Sequence, residues 1–271
     1  MPDFVQKVAR NIRRTGIMPR VYDVLGRTDA SAVQDLLKIL RPVVPVADLI
    51  RIGPQGDGGY LVPDDLDGID YAFSPGVDRE SGFEVDLAER GVDVFMADYS
   101  VDGPAQDHPR FNFVKKFLGS YTTPTQITLA DWVRSSVGDH AGDLLLQMDI
   151  EGFEYEVLMN TDDALLKQMR IIVLELHEVG RLFERGRFFV FQAFFAKLLR
   201  NHHVVHIHPN NCCGSIKVDG VELPHILEMT LYRRDRPVGG YCRGPFPHPL
   251  DVKNVGSRPD LVLSANWYSA E

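Results

Sequence analysis

Residues 71–100, YAFSPGVDRESGFEVDLAERGVDVFMADYS, decide the fold. Residues 71–77 form a short apolar run ending in a Pro-Gly turn, and residues 92–97 form a second one closed by Asp98. Between them, SGFEVDLAERG has the make-up of a helix, with Gly91 where a left-handed residue stops it. Two such runs flanking one helix predict a βαβ unit with parallel strands.

Toward the C-terminus the alternation continues. TLADWVRSSVG (128–138) predicts a helix, DLLLQMDIEG (143–152) a buried strand ending in acids, and RIIVLELHE (170–178) another, ending in Glu175 and His177. FFVFQAFFAKLLRN (188–201) predicts a helix and HHVVHIHPNN (202–211) an alternating strand. ILEMTLYRR (226–234) and DLVLSANWY (260–268) are the best candidates for closing strands. The sum is an α/β protein built on a mostly parallel sheet with helices on both faces.

Composition agrees. The chain has 271 residues, 44% hydrophobic and 25% charged, enough for a sizeable core and far from a disordered composition. A net charge of −9 argues against a nonspecific nucleic-acid binder. Cys212, Cys213 and Cys242 make neither an even disulfide framework nor a CxxC pair, so a reduced, cytoplasmic setting is expected. The most apolar stretch, Phe188 to Leu199, is too short to span a bilayer.

Residues 1–27 stand apart, with six cations against Asp3 and Asp23, a net +4 that leaves −13 for the rest. Phe4, Val5, Val8 and Ile12 recur at helical spacing. Two readings stay open: a basic helix lying on a membrane or a lipid-linked acceptor, or a solvated helix packed on its own domain. Val33, Leu36, Leu37 and Leu40 predict a second helix, stopped by Pro42.

In open α/β sheets ligands bind beyond the carboxyl ends of the strands, where the winding reverses. The residues placed there are Gly76 and Asp78, Asp98, Asp149 and Glu151, Glu175 and His177, and His208 with Asn210 and Asn211. Asp98, one strand after a glycine turn, suits the two hydroxyls of an adenosine ribose, a need shared by nicotinamide cofactors and S-adenosylmethionine. The turn separates the two, because GxGxxG is missing and Asp78 and Glu80 would repel a pyrophosphate. Acids there suit a cation, and S-adenosylmethionine carries an amino group and a sulfonium.

Other residues have plainer readings. Gly58 and Gly59 after Asp57 mark a hairpin turn as readily as a site. Glu154 is expected to be a structural acid in a first helical turn, His202 and His203 helix-end or surface residues, and Trp132 core.

The 71–100 segment, with TLADWV, LLLQMDIEGFEYEVL and IIVLELHE, resembles the FkbM-type family of S-adenosylmethionine-dependent methyltransferases. RIGPQGDGGYLVP (51–63), HIHPNN and LEMTLYRR resemble branches of that family too, so the likeness runs collinearly over residues 49–263. It implies a class I methyltransferase (Rossmann-like) fold with a seven-stranded sheet whose last strand is antiparallel, over residues 49–271, preceded by a helical arm over 1–48. It also implies O-methylation of a sugar, glycan or related hydroxyl. By position Gly76 and Asp78 would line the methionine end of the cofactor, Asp98 the ribose, and Asp149 the region near the methyl group. Ser74 and Pro75 replace the family's commoner acidic-Gly opening.

Methyl transfer to a hydroxyl needs alignment and one proton acceptor. His177 and His208 are the expected bases. Asp149, Glu175 and His177, with His208, would leave three adjacent strands at one end, a mixed set suited to Mg²⁺ or Mn²⁺. A nicotinamide oxidoreductase and a noncatalytic glycan-binding protein are the rival classes.

Overall fold

The computed structural model describes residues 26–77 and 79–268. Asp78 and almost all of the basic N-terminal segment therefore lie outside the described residues. Seven strands make the main sheet: β1 (Ile69–Pro75), β2 (Asp93–Ala97), β3 (Phe111–Val114), β4 (Asp143–Met148), β5 (Met169–Leu176), β6 (His202–Pro209) and β7 (Leu227–Arg233). Their order is β6-β7-β5-β4-β1-β2-β3. All pairings are parallel except those of β7, which runs against both β5 and β6. The chain winds outward from β1 to β3, returns to place β4 on the other side of β1, and then winds the opposite way, so the reversal lies between β1 and β4.

Helices α1 (Ala30–Ile39), α2 (Gly82–Glu89), α3 (Leu129–Val137), α4 (Glu154–Asn160), α5 (Asp163–Gln168) and α6 (Arg185–Leu198) cover the sheet. Because strand side chains alternate faces, Leu144 and Leu146 join Trp132, Leu158, Phe191 and Phe194 in one core. Leu145 points the other way, into a second core with Phe83 and Leu87 of α2 and with Ile52, Tyr60 and Val62. The last three belong to the hairpin formed by Leu49–Ile52 and Tyr60–Pro63. Trp132 is core as expected, set edge-on against Phe73 at a centroid distance of 5.0 Å. Val33 and Leu37 of α1 enter the first core, which ties this part of the arm to the sheet.

Three expectations change. Phe111–Val114, not anticipated, is the edge strand β3. Residues 260–268 form no strand; they run irregularly into one 3₁₀ turn, Ala265–Trp267, where Trp267 is buried and donates its indole N–H to the Glu222 carbonyl. His202 is fully buried inside β6, its Nε2 2.7 Å from the Met169 carbonyl, and is not a capping or surface residue.

Candidate active site

At the winding reversal the backbones of β1 and β4 almost touch. Gly76 follows β1 with φ +86°, and a Cβ built there would lie 1.6 Å from the Asp149 carbonyl oxygen. Glycine is required on both counts. On the next strand over, Asp98 leaves β2 almost buried, and its Oδ1 accepts two hydrogen bonds of 2.7 Å, from the Ser100 amide and hydroxyl. The carboxylate is thus preset in orientation.

Asp149, Glu175 and His177 converge, each offering a ligand atom within 4.8 Å of the others. His177 is held from behind: Nδ1 lies 3.2 Å from Oε1 of Glu154, whose side chain is fully buried at the start of α4. Nε2 is turned toward Asp149 Oδ1 at 3.9 Å and Glu151 Oε2 at 3.6 Å. Asn210 donates to Glu175 at 2.7 Å. Asp149 Oδ1 is buried with no hydrogen-bond partner, an uncompensated acceptor in a crowded site.

The electrostatics follow from this crowding. Burial, and then the neighbouring Glu175 carboxylate, raise the Asp149 pKa well above the carboxylate range. Glu175 is raised as well, chiefly by burial. Burial alone would lower His177, but the bond to Glu154 and the charges of Glu154, Glu175 and Glu151 outweigh it and bring its pKa to about 9. At neutral pH this imidazole carries a proton and donates. A cation brought among the same carboxylates would weaken that hold.

His208 does not join this cluster. The sequence reading put its strand beside the other two, but antiparallel β7 intervenes between β5 and β6. Glu228 of β7 stands opposite both Glu175 and His208 in register, and its Oε2 lies 2.9 Å from His208 Nδ1. A polar row therefore crosses three strands, from Glu175 through Glu228 to His208. Sequence reasoning missed Glu228 as a site residue, and it treated Glu154 as structural although Glu154 anchors His177. The signal for Glu154 was an acid flanked by two aromatic residues at the start of a helix.

The amides at the start of α2 are already engaged. Glu80 Oε1 accepts from Ser81 N at 3.0 Å and from Gly82 N at 2.7 Å. A pyrophosphate would need that position and would meet a carboxylate in it. A cavity of about 550 Å³ lies at the opposite end of β1, lined by Asp64, Asp70 and Arg90 among others, away from these residues.

No curated protein matches the chain. Solved structures match it distantly. A chain described as a hemolysin from Streptococcus thermophilus is 14% identical at a TM-score of 0.33, with 62% of this chain and 61% of that one covered. One described as a methyltransferase from an antibiotic biosynthesis pathway of Anabaena variabilis is 14% identical at a TM-score of 0.28, covering 54% and 60%. A variant of the 16S rRNA (adenine(1408)-N(1))-methyltransferase from Catenulisporales acidiphilia is 12% identical at a TM-score of 0.31, covering 69% and 100%. The chain spans about 60% of the length of the first two. The sequence profile of the methyltransferase FkbM domain matches residues 77–212, half of the chain, a span that holds Asp98, Asp149, Glu154, Glu175, His177 and His208. With that match, the chain belongs to the methyltransferase FkbM domain family.

Proposed function

We propose that this protein is a class I, Rossmann-like methyltransferase that uses S-adenosylmethionine to methylate a hydroxyl of a sugar, glycan or related natural product. The carrying observation is the convergence of acids and one histidine where the winding reverses, beside Gly76 and Asp98. This donor set suits a ligand that carries positive charge. Asp98, oriented by Ser100, fits a ribose diol, and Asp149 fits the sulfonium region. Glu80, seated on the α2 amides, disfavours the nicotinamide dinucleotide alternative. When bound, S-adenosylmethionine supplies the electrophilic methyl group.

The chain's own task is to align the acceptor and manage its proton. His177 presents Nε2 with Nδ1 fixed by Glu154, an orientation that serves a base or a metal ligand alike. Asp149, Glu175 and His177 fit a divalent ion such as Mg²⁺ or Mn²⁺: two oxygen donors and one imidazole, with an unpartnered Asp149 oxygen among them. Such an ion would lower the pKa of the acceptor hydroxyl. Activity that survives excess chelator assigns the proton to His177 alone, whereas loss restored by either ion assigns it to the metal.

Cofactor binding is the first test. Calorimetry should show binding of S-adenosylmethionine and none of NAD. Asp98→Ala should weaken S-adenosylmethionine by about 1.5 to 3 kcal/mol through lost charge-assisted hydrogen bonds. Equal affinity in the variant removes Asp98 from the site, and absence of binding in the native protein removes the assignment.

Acceptor, location and membrane contact belong to the same reading: a small-molecule or glycan acceptor, no nucleic acid, and a cytoplasmic setting. No described helix is long and apolar enough to cross a membrane. Deleting residues 1–27 should abolish sedimentation with anionic liposomes and leave cofactor affinity unchanged if this segment contacts membrane or a lipid-linked acceptor. No sedimentation of the intact protein would assign the segment to its own domain.

A further inference from the structure

Buried between the sheet, α2 and the 49–63 hairpin, four side chains form a polar chain that the methyl-transfer reading leaves unused. The Ser74 hydroxyl contacts Glu84 Oε1 and lies 2.6 Å from Gln147 Oε1, and Gln147 Nε2 lies 3.4 Å from the Tyr60 hydroxyl. All four residues are at most 5% exposed.

Counting hydrogens constrains the chain. Ser74 has one hydroxyl hydrogen, yet two acceptor oxygens stand within bonding distance of it. One hydrogen cannot serve both, so either Glu84 supplies the second or the Gln147 amide turns its Nε2 to Ser74. With Glu84 protonated, the carboxyl donates to Ser74 Oγ, Ser74 donates to Gln147 Oε1, and Gln147 donates to Tyr60. Burial brings this form within reach, since it raises Glu84 to about 7 despite the bond from Ser74, and the like charge of Glu80 adds to the rise. Among the described residues, no cation is paired with Glu84; β1 presents Ser74 to the chain, β4 presents Gln147, and the hairpin presents Tyr60.

Ionised Glu84 reverses every donor. It takes the Ser74 hydrogen, the Gln147 amide turns over to donate to Ser74 Oγ, and its oxygen then accepts from Tyr60. The far end matters because Asp149, Glu175, Glu228 and Asp57 all bear on the Tyr60 phenol.

We propose that Glu84 is a positioning residue that sets the direction of this chain: when it is protonated, the Tyr60 hydroxyl hydrogen is free to donate toward the Asp149 and Glu175 carboxylates, and when it is ionised that hydrogen is drawn back to Gln147. The only net chemical change is one proton leaving Glu84 for solvent. The device links a buried acid under α2 to the acid cluster at the strand ends without direct contact between them.

An NMR titration of the full chain tests it, following the Gln147 side-chain amide and the Tyr60 ring. In the native protein both should move together with a midpoint near pH 7. Glu84→Gln donates to Ser74 at every pH, so both signals should stay flat while the backbone spectrum remains native. In Ser74→Ala the Glu84 carboxyl carbon should still titrate, with Gln147 and Tyr60 no longer following. Movement of Tyr60 and Gln147 in Glu84→Gln as in the native protein would show that they follow the site acids instead, and overturn the proposal. So would the lack of movement in the native protein. No substrate or cofactor enters these measurements, so their outcome is independent of the methyl-transfer reading.

Discussion

His177→Ala is expected to lower turnover by roughly 10² to 10⁴-fold, about 3 to 5 kcal/mol, while S-adenosylmethionine affinity stays nearly native. The imidazole faces Asp149 and Glu151 through Nε2 and is fixed by Glu154 through Nδ1, so on the proposed reading its loss removes the proton acceptor or metal ligand and leaves Asp98 with its Ser100 bonds untouched. The pH profile carries the mechanism. In the free enzyme the histidine holds its proton to about pH 9, so if it acts as the base, kcat/KM should climb about tenfold per pH unit at neutral pH and level off near 9. If it ligates an ion, the climb ends at lower pH, because a ligand must be deprotonated for the site to load. An unimpaired variant would remove His177 from the proton-handling role.

The same shift predicts a stability signature. The folded pKa of His177 is raised from 6.5 to about 9, so its contribution is complete below pH 6.5 and is lost as pH rises through 9. The shift corresponds to about 3 kcal/mol. Thermal melting of the ligand-free protein should therefore weaken across that window, and His177→Gln should flatten this part of the curve. Parallel curves for the two proteins would contradict the pairing of His177 with Glu154.

Legibility in the sequence followed the source of each signal. β4 and β5 were visible because strands buried on both faces are written as continuous apolar runs, and the stop of α2 was visible because Gly91 has φ +92° just past its end. β3 hid because an edge strand of three half-exposed residues and one exposed, Asn112, has no such run. Residues 260–268 misled in the opposite sense, since Leu263 and Trp267 are buried by packing on the core rather than by strand pairing. The convergence of Asp149, Glu175 and His177 was legible because parallel strands deliver their exits to one end of the sheet. Glu228 was missed for the same reason: β7 is antiparallel, so its first residues, not its last, arrive there. Glu154 was missed because a helix start explains an acid locally, whereas its contact with His177 spans 23 residues.

Gly76→Ala should cost far more than Gly91→Ala, although the two glycines share almost the same backbone conformation, φ +86° and +92°. At Gly91 nothing stands within 4 Å of a new Cβ, so alanine pays only for the left-handed conformation, about 1 to 2 kcal/mol. At Gly76 the Cβ would fall 1.6 Å from the Asp149 carbonyl oxygen and 2.7 Å from its carbon. Backbone cannot swing aside as a long side chain can, so the exits of β1 and β4 must part, which breaks the approach of Asp149 N to the Pro75 carbonyl. The expected loss exceeds about 3 kcal/mol, a fall in melting temperature of roughly 6 to 12 °C for a chain of this size. Cofactor binding should fail with it, because the parting occurs where the winding reverses, whereas Gly91→Ala should bind normally. Equal melting shifts in the two variants would mean that only conformation matters at Gly76, and the contact between the two strand exits would no longer explain why glycine stands there.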